Sequence, residues 1–375
     1  MTKAKNKKLK IMIIAGEPSG DIHGALLMKQ IKLLYNNVEF IGIGGGKMIQ
    51  EGLKSIIDIS KIAVVGFIEV IKQYRVFSKL LKKCKKLLLT ESIDCFIPID
   101  YPGFNIKIAK YAYDIEIPVY YYIAPQLWAW GKNRYKKLQE VITKLLVVFP
   151  FEEHFFNQRG INATFIGHPL LDNPIFNLPS KNFEEKENII AFFPGSRRQE
   201  LKKNLELFIN TADLLNENLN NYSFEFAVSS NLSPDDFSML KFYNFNYKLV
   251  NNSIDLMRRA KIGVVKTGTT TLEASLLGLN MVMAYKASLS HYILGKYLVN
   301  LDYLSLPNIL LNKEIIPECI QKQATPKRIA QNVLNLLNNH DLCTKQQQEF
   351  NKIREILGHK GAAFNAANII LQDII

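Results

Sequence analysis

Short β-branched apolar runs alternate with longer amphipathic segments along most of this chain, and the alternation stops once and then restarts. Such repetition admits few architectures. Parallel strands need long crossovers, and crossover helices cover both faces of the sheet. The first set of runs predicts strands at 10–15, 39–43, 93–99, 119–123, 145–149 and 164–166, with helical spacing between most of them, as in Leu26, Leu27, Ile31 and Leu34. The stretch 167–186 breaks the rhythm with Pro169, Pro174 and Pro179 and ends in charged residues, as a linker does. Strands are expected again at 189–193, 223–228, 248–250, 262–265 and 281–284, and from about Pro326 the pattern is helical. The expectation is an α/β chain with two Rossmann-like doubly wound parallel-sheet domains, 1–170 and 188–325, facing a cleft, followed by a C-terminal helical tail, 326–375, either exchanged in a dimer or packed back on the N-terminal domain. Ligands of such sheets bind at the carboxyl ends of strands.

The 375 residues, 48% hydrophobic, suffice for two cores. Lys+Arg 47 against Asp+Glu 34 gives a net charge of +13, which favours phosphates, acidic membrane or nucleic acid as partners. The joint richness in Lys, Asn and Ile is also what compositional drift produces. Cys84, Cys95, Cys319 and Cys343 form no CxxC pair and join no His cluster. That argues against zinc and against a disulfide framework, and fits a reducing compartment. The apolar run 9–15 carries Lys10 and ends in Gly16-Glu17-Pro18 instead of a small-residue cleavage site, so it reads as a buried strand. No apolar stretch reaches the roughly 18–20 residues of a spanning helix, so a soluble or membrane-peripheral protein is expected.

Four loop clusters follow predicted strands. In GEPSGDIHG, Glu17, Ser19, Asp21 and His23 can face a ligand, or Asp21 or Ser19 can cap the next helix. In PIDYPGFN, Asp100 is placed either as a general base or as a cap. PQLWAWG brings Gln126 beside both tryptophans of the chain, a combination suited to sugar or acyl contacts and equally to packing. The last cluster pairs PGSRR, with Ser196, Arg197 and Arg198, with KTGTTTLE, with Gly268, Thr269, Thr270 and Glu273. Small and hydroxyl residues at a helix start leave N–H groups and the positive dipole end for phosphate, and guanidinium forks match its oxygens. Glu273, one turn further in, can accept two hydrogen bonds from a ribose diol. Together they suit a nucleoside diphosphate. GxxxxGK[ST] is absent, which disfavours ATP-type chemistry, and no DxD pair stands at a strand end as a metal clamp. Finally, 64–89 sets apolar residues at helical spacing among seven basic residues and one acid, as in a helix lying on an anionic membrane or an ordinary domain helix.

The segments GEPSGDIHG, GIGGGKM, VVGFIEV, DYPGFN, PQLWAWG, FIGHPLLD, FPGSRRQE, GTTTLE and LPNILL, in this order, resemble the lipid-A-disaccharide synthase family over about residues 10–366. Single motifs are weak, since GTTTLE-like loops are widespread in glycosyltransferases; the ordered set is specific. The resemblance implies an inverting, metal-independent glycosyltransferase of the GT-B arrangement, without a cofactor. It would join UDP-2,3-diacylglucosamine to 2,3-diacylglucosamine 1-phosphate (lipid X), making a β-1,6 disaccharide and UDP. The work would take place at the inner face of the cytoplasmic membrane, on its anionic surface, with no nucleic-acid partner, and a homodimer exchanging C-terminal segments is compatible with the tail. It further implies Asp100 as general base, with His23 and Glu17 as alternatives. Ser196, Arg197, Arg198, Glu200, Gly268, Thr269 and Thr270 would hold the diphosphate side and Glu273 the ribose. Ser19, Asn105, Gln126 and Asn308 would be polar contacts, His168 structural, and Val64, Val65, Phe67, Ile68 and Ile71 membrane contacts. Lys266 and Thr267 depart from the family's smaller residues before the glycine of GTTTLE. Rival readings are a peptidoglycan N-acetylglucosaminyltransferase, a UDP-sugar epimerase, or a basic non-catalytic module. GEPSGDIHG and PQLWAWG argue against the first two, and the density of strand-end loops against the third.

Overall fold

The computed structural model describes residues 7–58, 70–125, 127, 135–286 and 302–375, with side chains described except at 58, 70–76 and 199. Two compact units form: Met1–Asp172 with Leu357–Ile375, and Asn173–Ile356.

The first unit holds seven strands: β1 Leu9–Ala15, β2 Val38–Gly44, β3 Leu53–Asp58, β4 Cys95–Ile99, β5 Tyr120–Tyr122, β6 Lys144–Val147 and β7 Ala163–Phe165. Their order is β3-β2-β1-β4-β5-β6-β7, with every pair parallel. Helices on both faces bury strands such as LKIMIIA and CFIPI throughout, and this is why they read as apolar runs and not as alternation. β4 is unusual for a central strand in carrying Pro98. Phe96 donates its N–H to Pro118 and Asp100 to Tyr122. The rung between them, which Pro98 would donate, is missing for want of an N–H.

The second unit has β8 Glu187–Phe193, β9 Ser223–Ala227, β10 Tyr247–Val250, β11 Ala260–Val265, β12 Asn280–Tyr285 and β13 Glu318–Ile320, ordered β10-β9-β8-β11-β12-β13 and again parallel. Its core centres on Phe192, stacked on Phe226 at 4.6 Å, with Phe208 and Phe224 beside it.

Two strands escape the sequence pattern, β3 and β13. LKSIID interleaves Lys and Ser at a sheet edge, and Glu318–Ile320 is too short to register as a run. The tail also divides between the units. Helices Pro326–Asn338 and His340–Ile356 belong to the second, whereas Ala362–Ile374 packs on Pro18–Leu34 of the first. The latter is fastened at its start, where the Asp172 carboxylate accepts the backbone N–H groups of Gly361, Ala362 and Ala363. Three otherwise orphaned donors are satisfied, at the end of the helix that favours negative charge.

The basic amphipathic segment is a helix over Val70–Thr90. From residue 80 onward its apolar stripe faces the core, with Leu80, Cys84 and Leu88 buried, while Lys79, Lys82, Lys83 and Lys86 point outward. Val64, Val65, Phe67, Ile68 and the side chain of Ile71, expected at a membrane, lie outside the described residues, as does Gln126. Among the described residues no helix is long and apolar enough to cross a membrane.

Candidate active site

In each sheet the strand order reverses once, between β1 and β4 in the first unit and between β8 and β11 in the second. A reversal of this kind leaves an opening at the carboxyl ends of the two strands, where ligands of open α/β sheets bind. The GEPSGDIHG and DYPGFN loops follow β1 and β4; PGSRR and KTGTTTLE follow β8 and β11. All four lie at a reversal.

In the first unit Gly16 permits close approach. A Cβ there would stand 2.3 Å from the Tyr101 ring, so Tyr101 packs flat over the end of β1. Asp100 and Tyr101 then turn the chain from β4 into the helix Pro102–Asp114. The Asp100 carboxyl is open to solvent, yet it is pushed up to about 6, first by the protein crowded around it and then by the negative charge of Glu17. A carboxyl poised there is ionised at neutral pH and is a stronger base than an ordinary one. Glu17 and Ser19 are exposed at the start of the helix Pro18–Leu34.

Asp21 has a structural task instead: its carboxylate accepts from the backbone N–H groups of Gly45, Lys47 and Met48, at 2.8, 3.1 and 3.0 Å. It thereby caps the short helix Gly46–Gln50 that GIGGGKM forms. His23 is mostly enclosed. Burial holds its pKa down at about 4, with the Asp172 charge opposing, and its buried Nδ1 has no hydrogen-bond partner. A neutral imidazole packed inside is poorly placed to take a proton from a bound sugar. His168 is buried too, held down to about 3 by burial and then by His23. Its Nδ1 accepts the Leu170 N–H at 3.3 Å, and its ring lies 5.1 Å from that of Phe149.

Two expected ligand contacts turn inward. Asn105 is fully buried, and its amide nitrogen donates to the carbonyls of Ile99 and Asp100 at 3.2 and 2.7 Å. Asn308 is equally buried and uses its whole capacity. It donates to Ile316 O and Glu318 Oε1, both at 2.9 Å, and accepts from the N–H groups of Ile315 and Ile316 at 2.9 and 3.0 Å. Nothing remains for a substrate, so LPN and Glu318 shape a turn. Asparagine reads as a polar contact in a sequence; only burial distinguishes a contact from a strut.

In the second unit Gly195 and Gly268 have φ of 122° and 131°, conformations that glycine tolerates and other residues seldom adopt. Ser196, Arg197, Gly268 and Thr269 are exposed, and the hydroxyls of Thr269 and Thr270 bond to nothing among the described residues. Thr267 and Thr271 are committed to the carbonyls of Leu304 and Gly268. Arg198 reaches Asp236 at 3.3 Å. Lys266 is drawn in: its ammonium lies 3.1 Å from Glu200 Oε1 and 5.3 Å from the centre of the Tyr285 ring. Glu200, expected at the diphosphate, is thus a counter-ion for Lys266. The carboxyl of Glu273 is half-buried, raised by burial, and without a hydrogen-bond or ionic partner among the described residues. Among those residues no group of three or more His, Cys, Asp or Glu side chains converges as a metal site would require.

Solved structures share this architecture. They include an S. aureus MnaA–UDP co-structure (12% identity, TM-score 0.65, 98% of each chain covered) and a UDP-GlcNAc 2-epimerase from Neisseria meningitidis bound to UDP-GlcNAc (12%, 0.63, 98% of this chain and 99% of that one). The calicheamicin glycosyltransferase CalG4 is similar to the same degree (12%, 0.62, 98% and 99%). Two parallel sheets with these strand orders define a GT-B-like fold. A family model described as Lipid-A-disaccharide synthetase matches residues 11–373. Lipid-A-disaccharide synthases of Trichlorobacter lovleyi and Coxiella burnetii (strain CbuG_Q212) are 35% and 34% identical, covering 98% and 96% of this chain and 98% and 97% of theirs. The chain belongs to the lipid-A-disaccharide synthase family and is a glycosyltransferase of lipid A biosynthesis.

Proposed function

We propose that the chain transfers the glycosyl group of UDP-2,3-diacylglucosamine to the 6-hydroxyl of lipid X, forming the β-1,6 disaccharide 1-phosphate and UDP. The observation that carries the nucleotide assignment is Glu273. It is a half-buried carboxyl without a partner among the described residues, one turn inside a helix whose first hydroxyls bond to none of those residues either, and it suits a ribose diol. The UDP and UDP-GlcNAc of the two neighbours above support a uridine nucleotide here. Family membership supports the lipid substrates.

In this reading Asp100 takes the proton of the acceptor 6-hydroxyl as the oxygen bonds to the anomeric carbon. The bond from that carbon to the β-side phosphate oxygen breaks on the opposite face, and UDP leaves with the electron pair. The α-linked donor becomes a β-linkage in one displacement. A positioned base contributes about 10²–10⁴-fold. Ser196, Arg197 and the N–H groups at Thr269-Thr270 would stabilise the departing diphosphate. Acyl chains keep both sugars in a bilayer, so an apolar segment around Phe67–Ile71 inserts while the outward lysines of the helix Val70–Thr90 meet anionic lipid. Serines at Phe67, Ile68 and Ile71 should cut flotation with phosphatidylglycerol vesicles several-fold; unchanged flotation removes the segment from the membrane.

The central experiment measures UDP release from UDP-2,3-diacylglucosamine, with and without lipid X, in detergent free of divalent metal. Release that depends on lipid X, with a disaccharide 1-phosphate in the mass spectrum, is the expected result. A folded, UDP-binding sample that gives no such product would overturn the lipid assignment and leave the nucleotide assignment standing.

A further inference from the structure

The turn that presents Asp100 is held in a costly backbone conformation. Asp100 and Tyr101 are both left-handed, with φ of 42° and 49°. One such non-glycine residue costs on the order of 1 kcal/mol or more, and two in succession need outside support. That support converges on one atom, the carbonyl oxygen of Asp100. Asn105 Nδ2 donates to it at 2.7 Å from the following helix, and Tyr121 Oη donates at 2.6 Å from the neighbouring strand β5.

Tyr121 is completely buried, its ring clamped among Leu138, Leu145 and Val147, so its hydroxyl has a fixed place. The backbone alone binds β4 weakly to β5 here. Pro98 supplies no rung, and the last one, from Asp100 N–H to Tyr122 O, is long at 3.3 Å. The Tyr121 hydroxyl adds a tie from β5 to the chain leaving β4 at Asp100, the first left-handed residue of the turn.

We propose that Tyr121 is a positioning residue: its hydroxyl grips the Asp100 carbonyl and so holds the left-handed turn that keeps the Asp100 carboxyl beside Glu17. The catalytic meaning rests on Asp100 as the base; the geometric claim concerns the substrate-free protein. The charged or titratable groups felt at this turn are Glu17 from the helix start and the phenols of Tyr101 and Tyr121. Both phenols are pushed upward by burial and then by the nearby carboxylates, so they stay neutral through the working range. If the grip is lost, the turn relaxes to an ordinary conformation, the carboxyl moves away from the protein crowded around it and from Glu17, and it titrates closer to a free aspartate.

The test is Tyr121→Phe, which keeps the ring and removes only the hydroxyl. Carboxyl ¹³C titration, with Asp100→Asn assigning the signal, should move the Asp100 midpoint down from about 6 by about one unit. Turnover should fall about tenfold, the worth of one good hydrogen bond, with the donor KM changed less than twofold and the acid limb of kcat shifted with the midpoint. Tyr122→Phe, which deletes an adjacent buried hydroxyl that lacks a hydrogen-bond partner, should move neither. An Asp100 midpoint that stays near 6 in Tyr121→Phe overturns the proposal, whatever happens to thermal stability, and so does an equal shift in Tyr122→Phe. Near-wild-type turnover of Asp100→Asn would instead remove Asp100 as the base, and the titration would still decide whether Tyr121 positions it.

Discussion

Arg197 sits at the N-cap of the helix Arg198–Asn216 with its side chain well exposed, 3.8 Å from Glu200, while Arg198 leans toward Asp236. Of the two adjacent guanidiniums, Arg197 is the one assigned to the diphosphate in the proposed donor site. Arg197→Ala is therefore expected to weaken UDP binding by more than tenfold in titration calorimetry and to leave uridine binding within twofold, since only the diphosphate loses a charged donor. Equal losses for both ligands would mean that the loop had collapsed. Sequence reading proposes such residues where chemistry and position coincide. Asp100, just past the end of a strand, is one. It missed Tyr121, because YYY inside an apolar run reads as packing, and the hydroxyl's target depends on which strand lies next door. It also placed Asn105 and Asn308 at the ligand, when both are fully buried; Asn308 is bonded inward at both ends, whereas Asn105 is bonded through its nitrogen and its Oδ1 has no partner among the described residues.

At the scale of elements, the alternation of runs exposes the strands that are buried on both faces and hides those at edges, β3 and β13. It exposes the tail as helical and leaves its destination open between exchange in a dimer and return to the N-terminal domain; only the last helix returns, its apolar face buried and its start fastened by Asp172, far from the tail in sequence. The cue was present in FIGHPLLD and in the glycines of GHKGA, which allow φ of 82° at Gly358 and 115° at Gly361 between the last two helices. Removing the carboxylate leaves three helix-start N–H groups without it. Asp172→Ala should cost about 2 kcal/mol. Hydrogen exchange should read this as faster exchange throughout Ala362–Ile374, with little change in Pro326–Asn338. If protection of the final helix is untouched, the carboxylate is not its anchor.

For the molecule as a whole, the two shifted histidines, which act below neutral pH, both lie in the first unit. His23 and His168 are held neutral by burial, at about 4 and 3, below the ordinary imidazole value of about 6.5. Between pH 6.5 and 4 the unfolded chain takes up protons that the fold refuses, so stability is present above that window and drains away as pH falls through it. Asp100 has the opposite sign, since the fold binds its proton first, but its carboxyl is open to solvent and weighs less. His168 alone should account for about 3 kcal/mol at pH 4. Calorimetric scans from pH 7.5 to 4.5 should show the transition of the first unit falling steeply, and His168→Gln should flatten that slope; an equal slope in the variant would place the acid sensitivity elsewhere. Two-domain architecture was legible from the interruption at 167–186, and a tail packed back on the N-terminal domain was one of two readings of 326–375, but the point of the chain's second passage between units was not legible, because no composition change marks it. That passage bears on how the protein is made. Residues up to 172 emerge from the ribosome before the second unit, yet the helix Ala362–Ile374 that completes their unit emerges after it. The second unit, contiguous in sequence, can close while synthesis is still under way. The unit begun earlier thus waits longer with its helix-binding face uncovered, and a frameshift or premature stop just before the codons of Ala362–Ile374 would damage the unit whose other residues are encoded far upstream.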